Sequence, residues 1–354
     1  MAKRLNLIYG LSGENKIVHI SEVVSGKACN CTCPSCGTPL VAKKGSSNKM
    51  IHHFAHQTTE TCEYGYETSL HMAAKEILLS VKTMLLPEVV YQFKGMWRKK
   101  QISPEREIHI DRVELESKTG DVIPDVIVYS GDEKIFVEIF VTHKVDEDKL
   151  KKIQGLNVST LEMDLSKQRD TLTIEELEER LIGNNKNKYW VYHSEIDAYE
   201  KAMYSVAKKK RVFEDDWCDR EFTRGCPLRL FKMGRYYCAH CCYCLDCEYR
   251  IEQIEKDGET KYIYCTGEAL IGDASDFNIS FEERRKKCIE WIQKEDLYYI
   301  KDEICPFCYG ILRIKERESE KVIECVDCDF TAVYNKITEK LNVKTSSHKR
   351  RFEY

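Results

Sequence analysis

The sequence has no apolar run approaching the ~18 residues that a membrane-spanning helix requires. Its opening residues, Met-Ala-Lys-Arg-Leu-Asn, lack the apolar stretch of an export signal. A cytoplasmic protein with no membrane partner is therefore expected. Neither charge dominates: 55 basic and 59 acidic side chains leave a net charge of −4. Contact with nucleic acid must then come from local basic patches. There is no glycine-rich phosphate loop of the Walker type and no Gly-x-Ser-x-Gly elbow, so those routes to nucleotide hydrolysis and acyl transfer are not indicated. Residues 63–217 hold no cysteine, although the chain has 18.

What is present is an ordinary globular composition, 354 residues with 42% hydrophobic and 32% charged. That length suggests two or three domains. Without an export signal, CxxC pairs read as metal sites and not as disulfides. The resulting organisation is N-terminal strands with a metal-pinned hairpin (1–62), a cysteine-free core (63–185), a helical connector ending in Lys208–Arg211 (186–217), a cysteine-rich module with a helix (218–300), a cysteine-pinned ribbon (301–340) and a basic, mobile tail (341–354).

Three cysteine patterns imply metal. Cys305-Pro-Phe-Cys308, sixteen residues, then Cys325-Val-Asp-Cys328 brings four thiolates to one tetrahedral zinc. With no open coordination position, that site is structural. Cys33-Pro-Ser-Cys36, sixteen residues, then His53-Phe-Ala-His56 repeats the geometry with imidazoles. His52 is adjacent and Cys62 can replace one ligand, so that set stays open. Cys29 and Cys31 read as free thiols or alternates. In the middle, Cys244, Cys247 and Cys265 with one of Cys226, Cys238 or Cys241 form the leading set, with Cys226 preferred. Zinc is favoured there, with an iron–sulfur cluster as the alternative.

The segment most informative for catalysis is Val122-Ile-Pro-Asp125 through Glu138-Ile-Phe-Val-Thr142-His143. Two apolar strands flank a turn at Ser130-Gly131-Asp132, so Asp125 and Glu138 approach each other from paired strands. Two carboxylates in an apolar hairpin repel each other and are costly to bury. A divalent Mg²⁺ or Mn²⁺ relieves the conflict and can activate water on a phosphodiester. Glu67, His71 and Lys75, four apart, share one face of a helix predicted over 66–83.

These residues carry a resemblance. Pro-Asp, a hairpin and then Glu-x-x resembles the PD-(D/E)xK nuclease superfamily. Cys-Pro-x-Cys-Gly, His-Phe-Ala-His and Glu67–Lys75, in that order, look like the competence-protein CoiA-like nucleases. The resemblance covers roughly residues 1–180. It implies an α+β or α/β fold, with a restriction-endonuclease-like mixed sheet flanked by helices, and metal-dependent cleavage of DNA. Asp125 and Glu138 then bind the metal, Glu67 adds an acid, and His71 and Lys75 stand alongside. The nominal lysine position, two after Glu138, is Phe140, so the cation has to come from elsewhere, with Lys75 or Lys144 as candidates. The expected setting is DNA uptake and recombination or attack on foreign DNA. The alternative is a catalytically silent module that binds DNA or a partner through its zinc sites. Strand preference, DNA against RNA, and self-association stay open.

Overall fold

The structure is a computed structural model that describes residues 6–45, 51–58, 62, 64–167, 172–215, 220–226, 228, 231–233, 236–240, 247–306 and 310–345. The chain divides into two units, Met1–Tyr91 with Gln101–Asp197 and Gln92–Lys100 with Ala198–Tyr354.

Unit 1 opens with two short antiparallel strands, β1 (Tyr9–Leu11) and β2 (Ile17–His19). Their turn places Asn15 in the left-handed region (φ 59°), which asparagine tolerates. A second hairpin, β3 (Leu40–Lys43) and β4 (His53–His56), buries Leu40, Ala42 and Phe54 in a small apolar cluster with Leu7 and Ile20. Helix α1 (Gly65–Ser80) follows, burying Leu70, Ala73, Ala74 and Leu78, a three- and four-residue spacing that makes one apolar stripe. Then come β5 (Thr83–Leu86), β6 (Val89–Gln92), β7 (Lys99–Ser103) and β8 (Arg106–His109), with β5 paired to β8 and β6 to β7.

The central sheet comprises β9 (Arg112–Leu115), β10 (Val126–Ser130), β11 (Glu133–Phe140), β12 (Thr160–Asp164) and β13 (Lys188–Tyr192), in the order β13-β12-β11-β10-β9. Only the β11–β12 pair is parallel. Helix α2 (Glu147–Leu156) makes that crossover, its N-terminus capped by Asp146 accepting from the Lys149 N–H. Strand alternation divides the apolar residues between two faces. Val126, Val128, Ile135 and Val137 join the α1 stripe in one cluster, while Ile127 and Phe136 pack with Ile153 of α2. The short helix α3 (Ile174–Glu178) adds Leu177 to the first cluster. The expected mixed sheet flanked by helices is present.

Helix α4 (Ser194–Val206) leads into unit 2. Lys208–Arg211 differ from expectation: they start a strand, β14 (Lys208–Asp215), and do not end the helix. Cross-strand pairing to β19 fixes them there. With β15 (Arg220–Arg224), β16 (Phe231–Met233), β17 (Tyr236–His240), β18 (Arg250–Lys256) and β19 (Glu259–Cys265), β14 forms an antiparallel sheet ordered β16-β17-β15-β14-β19-β18. Its core joins Tyr249, Ile263 and Leu270 to Cys288 and Ile292 of helix α5 (Phe281–Lys301). Ser280 and Glu283 cap that helix reciprocally.

A four-stranded meander follows, β20 (Leu312–Glu316), β21 (Glu320–Cys325), β22 (Thr331–Asn335) and β23 (Lys340–Thr345), closed over Ile323 and Phe330. β23 corrects the expectation of a mobile tail from 341, because its ladder to β22 orders residues to 345. Lys349, Arg350 and Arg351 lie outside the described residues. Among the described residues no helix is long and apolar enough to cross a membrane.

Candidate active site and metal centres

The β10–β11 hairpin produces the carboxylate pair. Val126 pairs with Val137, so Asp125, one step before β10, comes alongside Glu138 in antiparallel register. The Ile139 N–H donates to Asp125 Oδ2 at 2.9 Å. Asp125 Oδ1 reaches α1, where it lies 3.0 Å from Lys75 Nζ and 3.6 Å from His71 Nδ1. Lys75 also donates to Glu116 Oε1 at 2.9 Å.

Glu138 meets α2 instead. Lys149 Nζ donates to its Oε2 at 2.7 Å and also lies 2.7 Å from Oε1, a buried oxygen with no hydrogen bond of good geometry. Glu162 is the parallel-register partner of Glu138 and accepts from the Val145 N–H at 3.3 Å. Glu67, in the first turn of α1, lies 3.6 Å from His143 Nδ1. These acids, with His71, His143, Lys144 and Lys149, line one cleft of about 270 Å³.

The two carboxyls are tuned in opposite directions. Burial works to raise Asp125, but the His71 imidazole, the Ile139 N–H and the Lys75 ammonium outweigh it and hold the carboxyl well below its usual range. Burial pushes Glu138 up to about 7, helped by the charge of Asp125 and opposed by Lys149. Burial draws Lys75 down, yet Asp125 and Glu116 more than compensate and raise it. The site thus holds one carboxylate ionised and one poised near neutrality, a separation typical of functional clefts.

Every residue proposed for catalysis from the sequence falls at or beside this cleft. Lys75 touches Asp125, and the Lys144 Nζ sits over the Phe140 ring, 5.2 Å from its centroid. Two members were missed. Lys149 precedes Ile153 by four residues and so shares its face, which the structure shows packed on the sheet. Glu162 is a charge within an apolar strand, the same signal that identified Glu138.

The cysteine sites differ in detail from their motifs. Cys33, Cys36, His56 and Cys62 bring one ligand atom each within 4.8 Å of one another. Cys33 Sγ and Cys62 Sγ are 3.9 Å apart, near the ~3.8 Å edge of a tetrahedron with Zn–S bonds of about 2.3 Å. His56 Nε2 is buried without a hydrogen-bond partner. Any side chain at position 65 would meet Cys62 Sγ at 3.1 Å and Cys33 Sγ at 3.3 Å, so glycine leaves the space clear. This Cys₃His set could hold zinc. His53 is therefore corrected to Cys62. Residues three apart in a strand face opposite ways, and His53 Nδ1 lies 2.9 Å from the Ile51 carbonyl.

Cys305, Cys325 and Cys328 form a second group, with 3.8 Å between Cys305 Sγ and Cys328 Sγ. Cys308 lies outside the described residues. Cys226, Cys247 and Cys265 all join the apolar core of unit 2, and among the described residues they do not meet as a ligand group. Cys241 and Cys244 lie outside the described residues, and nothing is described of the Cys238 side chain.

Residues 15–65 match the family model of the competence protein CoiA N-terminal domain. The match spans Cys33, Cys36, His56 and Cys62. No curated protein and no solved structure matches the chain.

Proposed function

We propose that this chain is a metal-dependent nuclease that hydrolyses DNA phosphodiester bonds. The observation that carries the reading is the convergence of Asp125 and Glu138, from neighbouring paired strands, on one cleft with a lysine at each carboxyl. The match of residues 15–65 to a competence-protein domain supports a competence-related setting, where DNA is taken up and processed. A restriction-endonuclease-like core fits the mixed sheet with helices on both faces.

The donor set suits Mg²⁺ or Mn²⁺: the oxygens of Glu67, Asp125 and Glu138 share the cleft, and the buried Glu138 Oε1, 2.7 Å from Lys149 Nζ, has no hydrogen bond of good geometry. When bound there, such an ion lowers the pKa of the attacking water and stabilises charge on the phosphate. Lys149 supplies the cation that Phe140 cannot. It stands at Glu138, where it orients the attacking water and offsets the growing negative charge. Lys75 and His71 keep Asp125 ionised and aimed. Lys149 also weakens the case for a silent module, which rested on Phe140.

The test is nicking of supercoiled plasmid by the full chain. Cleavage is expected with Mg²⁺ or Mn²⁺ and none after chelation, and Asp125→Ala or Glu138→Ala should abolish it without changing the circular dichroism spectrum. Metal-independent cleavage, or full activity in both variants, would overturn the reading.

A further inference from the structure

The sheet of unit 2 sorts the side chains of β14 between two faces, although Lys208 at its start is exposed like Lys209 and Arg211. Lys208, Lys210 and Val212 alternate with Lys209, Arg211 and Phe213 along β14. The first set shares a face with the buried Cys265, Ile263 and Thr223, which are their register partners. Lys210 Nζ is tied down there, 3.0 Å from the Gly225 carbonyl and 3.1 Å from Glu268. The second set points the other way. Lys209 and Arg211 are exposed, and neither forms an ion pair with any described residue.

Their contacts are aromatic. Lys209 Nζ lies 4.3 Å from the centroid of the half-buried Tyr262 ring, and Tyr262 is the register partner of Arg211. Two guanidiniums lie near the Phe213 ring, Arg211 at 5.2 Å and the exposed Arg224 at 4.4 Å from its centroid. Cations gathered on one ring repel each other. A polyanion removes that cost, and flat rings beside guanidinium planes accept stacked bases.

We infer that this outer face, built from Lys209, Arg211, Phe213, Arg224 and Tyr262, is a platform for single-stranded DNA. Stacking requires unpaired bases, which excludes an intact duplex as the preferred ligand. The choice of DNA as the polymer rests on the nuclease reading; the platform itself does not use the carboxylate cleft.

The test measures anisotropy of fluorescein-labelled dT20 with the full chain, without added Mg²⁺ or Mn²⁺. Tyr262→Leu, which keeps apolar bulk, should weaken binding about tenfold. Lys209→Ala with Arg211→Ala should flatten the salt dependence by about 1.4 in log–log slope, some 0.7 for each cation removed. Lys208→Ala removes the same charge from the opposite face and should change binding little. Equal weakening by Lys208→Ala and Lys209→Ala, unchanged binding by Tyr262→Leu, or a duplex held more tightly than dT20 would overturn the platform. Tighter binding of U20 would overturn the assignment to DNA. If the parent binds through this face and never cuts, the platform stands and the nuclease reading falls.

Discussion

Helix α1 serves two sites made in opposite ways. Its first residue, Gly65, backs onto the Cys₃His cluster, and its next turns carry Glu67, His71 and Lys75 to the carboxylate cleft. The cluster uses soft ligands drawn mostly from a CxxC knuckle and the hairpin it pins, so spacing alone announces it. The cleft is gathered from α1, two strands of a hairpin, a crossover helix and a parallel strand. Its hard oxygens could just as well have belonged to solvated surface. The comparison teaches that a local ligand pattern reveals a metal site's existence, while a non-local one reveals its chemistry only after folding.

The comparison breaks first at the carboxylates. Asp125→Ala or Glu138→Ala should lower the rate of plasmid nicking by about 10³-fold or more, as expected when a residue holding a catalytic metal is removed. Both variants should keep the zinc content of the parent, measured by plasma emission spectrometry. Loss of zinc in either one would mean that the two sites are not separable.

The next largest effect concerns the cluster. Cys62→Ser should remove one zinc per chain and destabilise the N-terminal segment by several kcal/mol, because metal binding there is folding energy. The drop should appear in the thermal melt, alongside the metal count. His53→Ala should cost no zinc, since its imidazole faces away from the cluster. The opposite result, metal lost with His53 and kept without Cys62, would restore the ligand set read from the sequence.

Within the cleft, Lys149→Ala should reduce the cleavage rate about 10²-fold, a typical loss when charge stabilisation in a transition state is removed. Lys144→Ala should change it little, because the Lys144 ammonium rests on the Phe140 ring instead of on a carboxylate. Single-turnover rates of the two variants would rank the lysines directly.

These residues also measure how much was legible. The β10–β11 hairpin and α1 lie where the apolar pattern put them, and Asp125 and Glu138 were found because a charge inside an apolar strand demands a reason. His53 was misjudged because a HxxH spacing suits a helix or a loop, whereas β4 is a strand and sends the two imidazoles apart. Cys62 was open in the sequence as a replacement ligand, and only its place beside Cys33, Cys36 and His56 selects it. Lys149 was hidden because nothing in the sequence says which turn of a charged helix covers a particular strand. Lys208–Arg211 read as a helix end because four cations in a row carry no visible period, and only the pairing with β19 sorts them into two faces.

The smallest predicted effect concerns protons in the metal-free state. Folding raises the Glu138 carboxyl from the ordinary 4.5 to about 7, chiefly through burial. The folded chain therefore retains a proton that the unfolded chain has released. The associated stability is fully present below about pH 4.5 and is lost as pH climbs through about 7, on the order of 3 kcal/mol in all. His19 and His193, which burial holds below the usual imidazole value, push the other way over part of that range. Their effect cancels when Glu138→Gln is compared with the parent. The melting temperature of Glu138→Gln minus that of the parent should thus rise from pH 5 to pH 8. Added Mg²⁺ should shrink that difference at pH 8 by stabilising the parent alone. A flat difference across the range would mean that Glu138 stays ionised beside Lys149 at all these values. The cleft would then be a permanent ion pair, and the contrast with the cysteine cluster would be one of two structural staples.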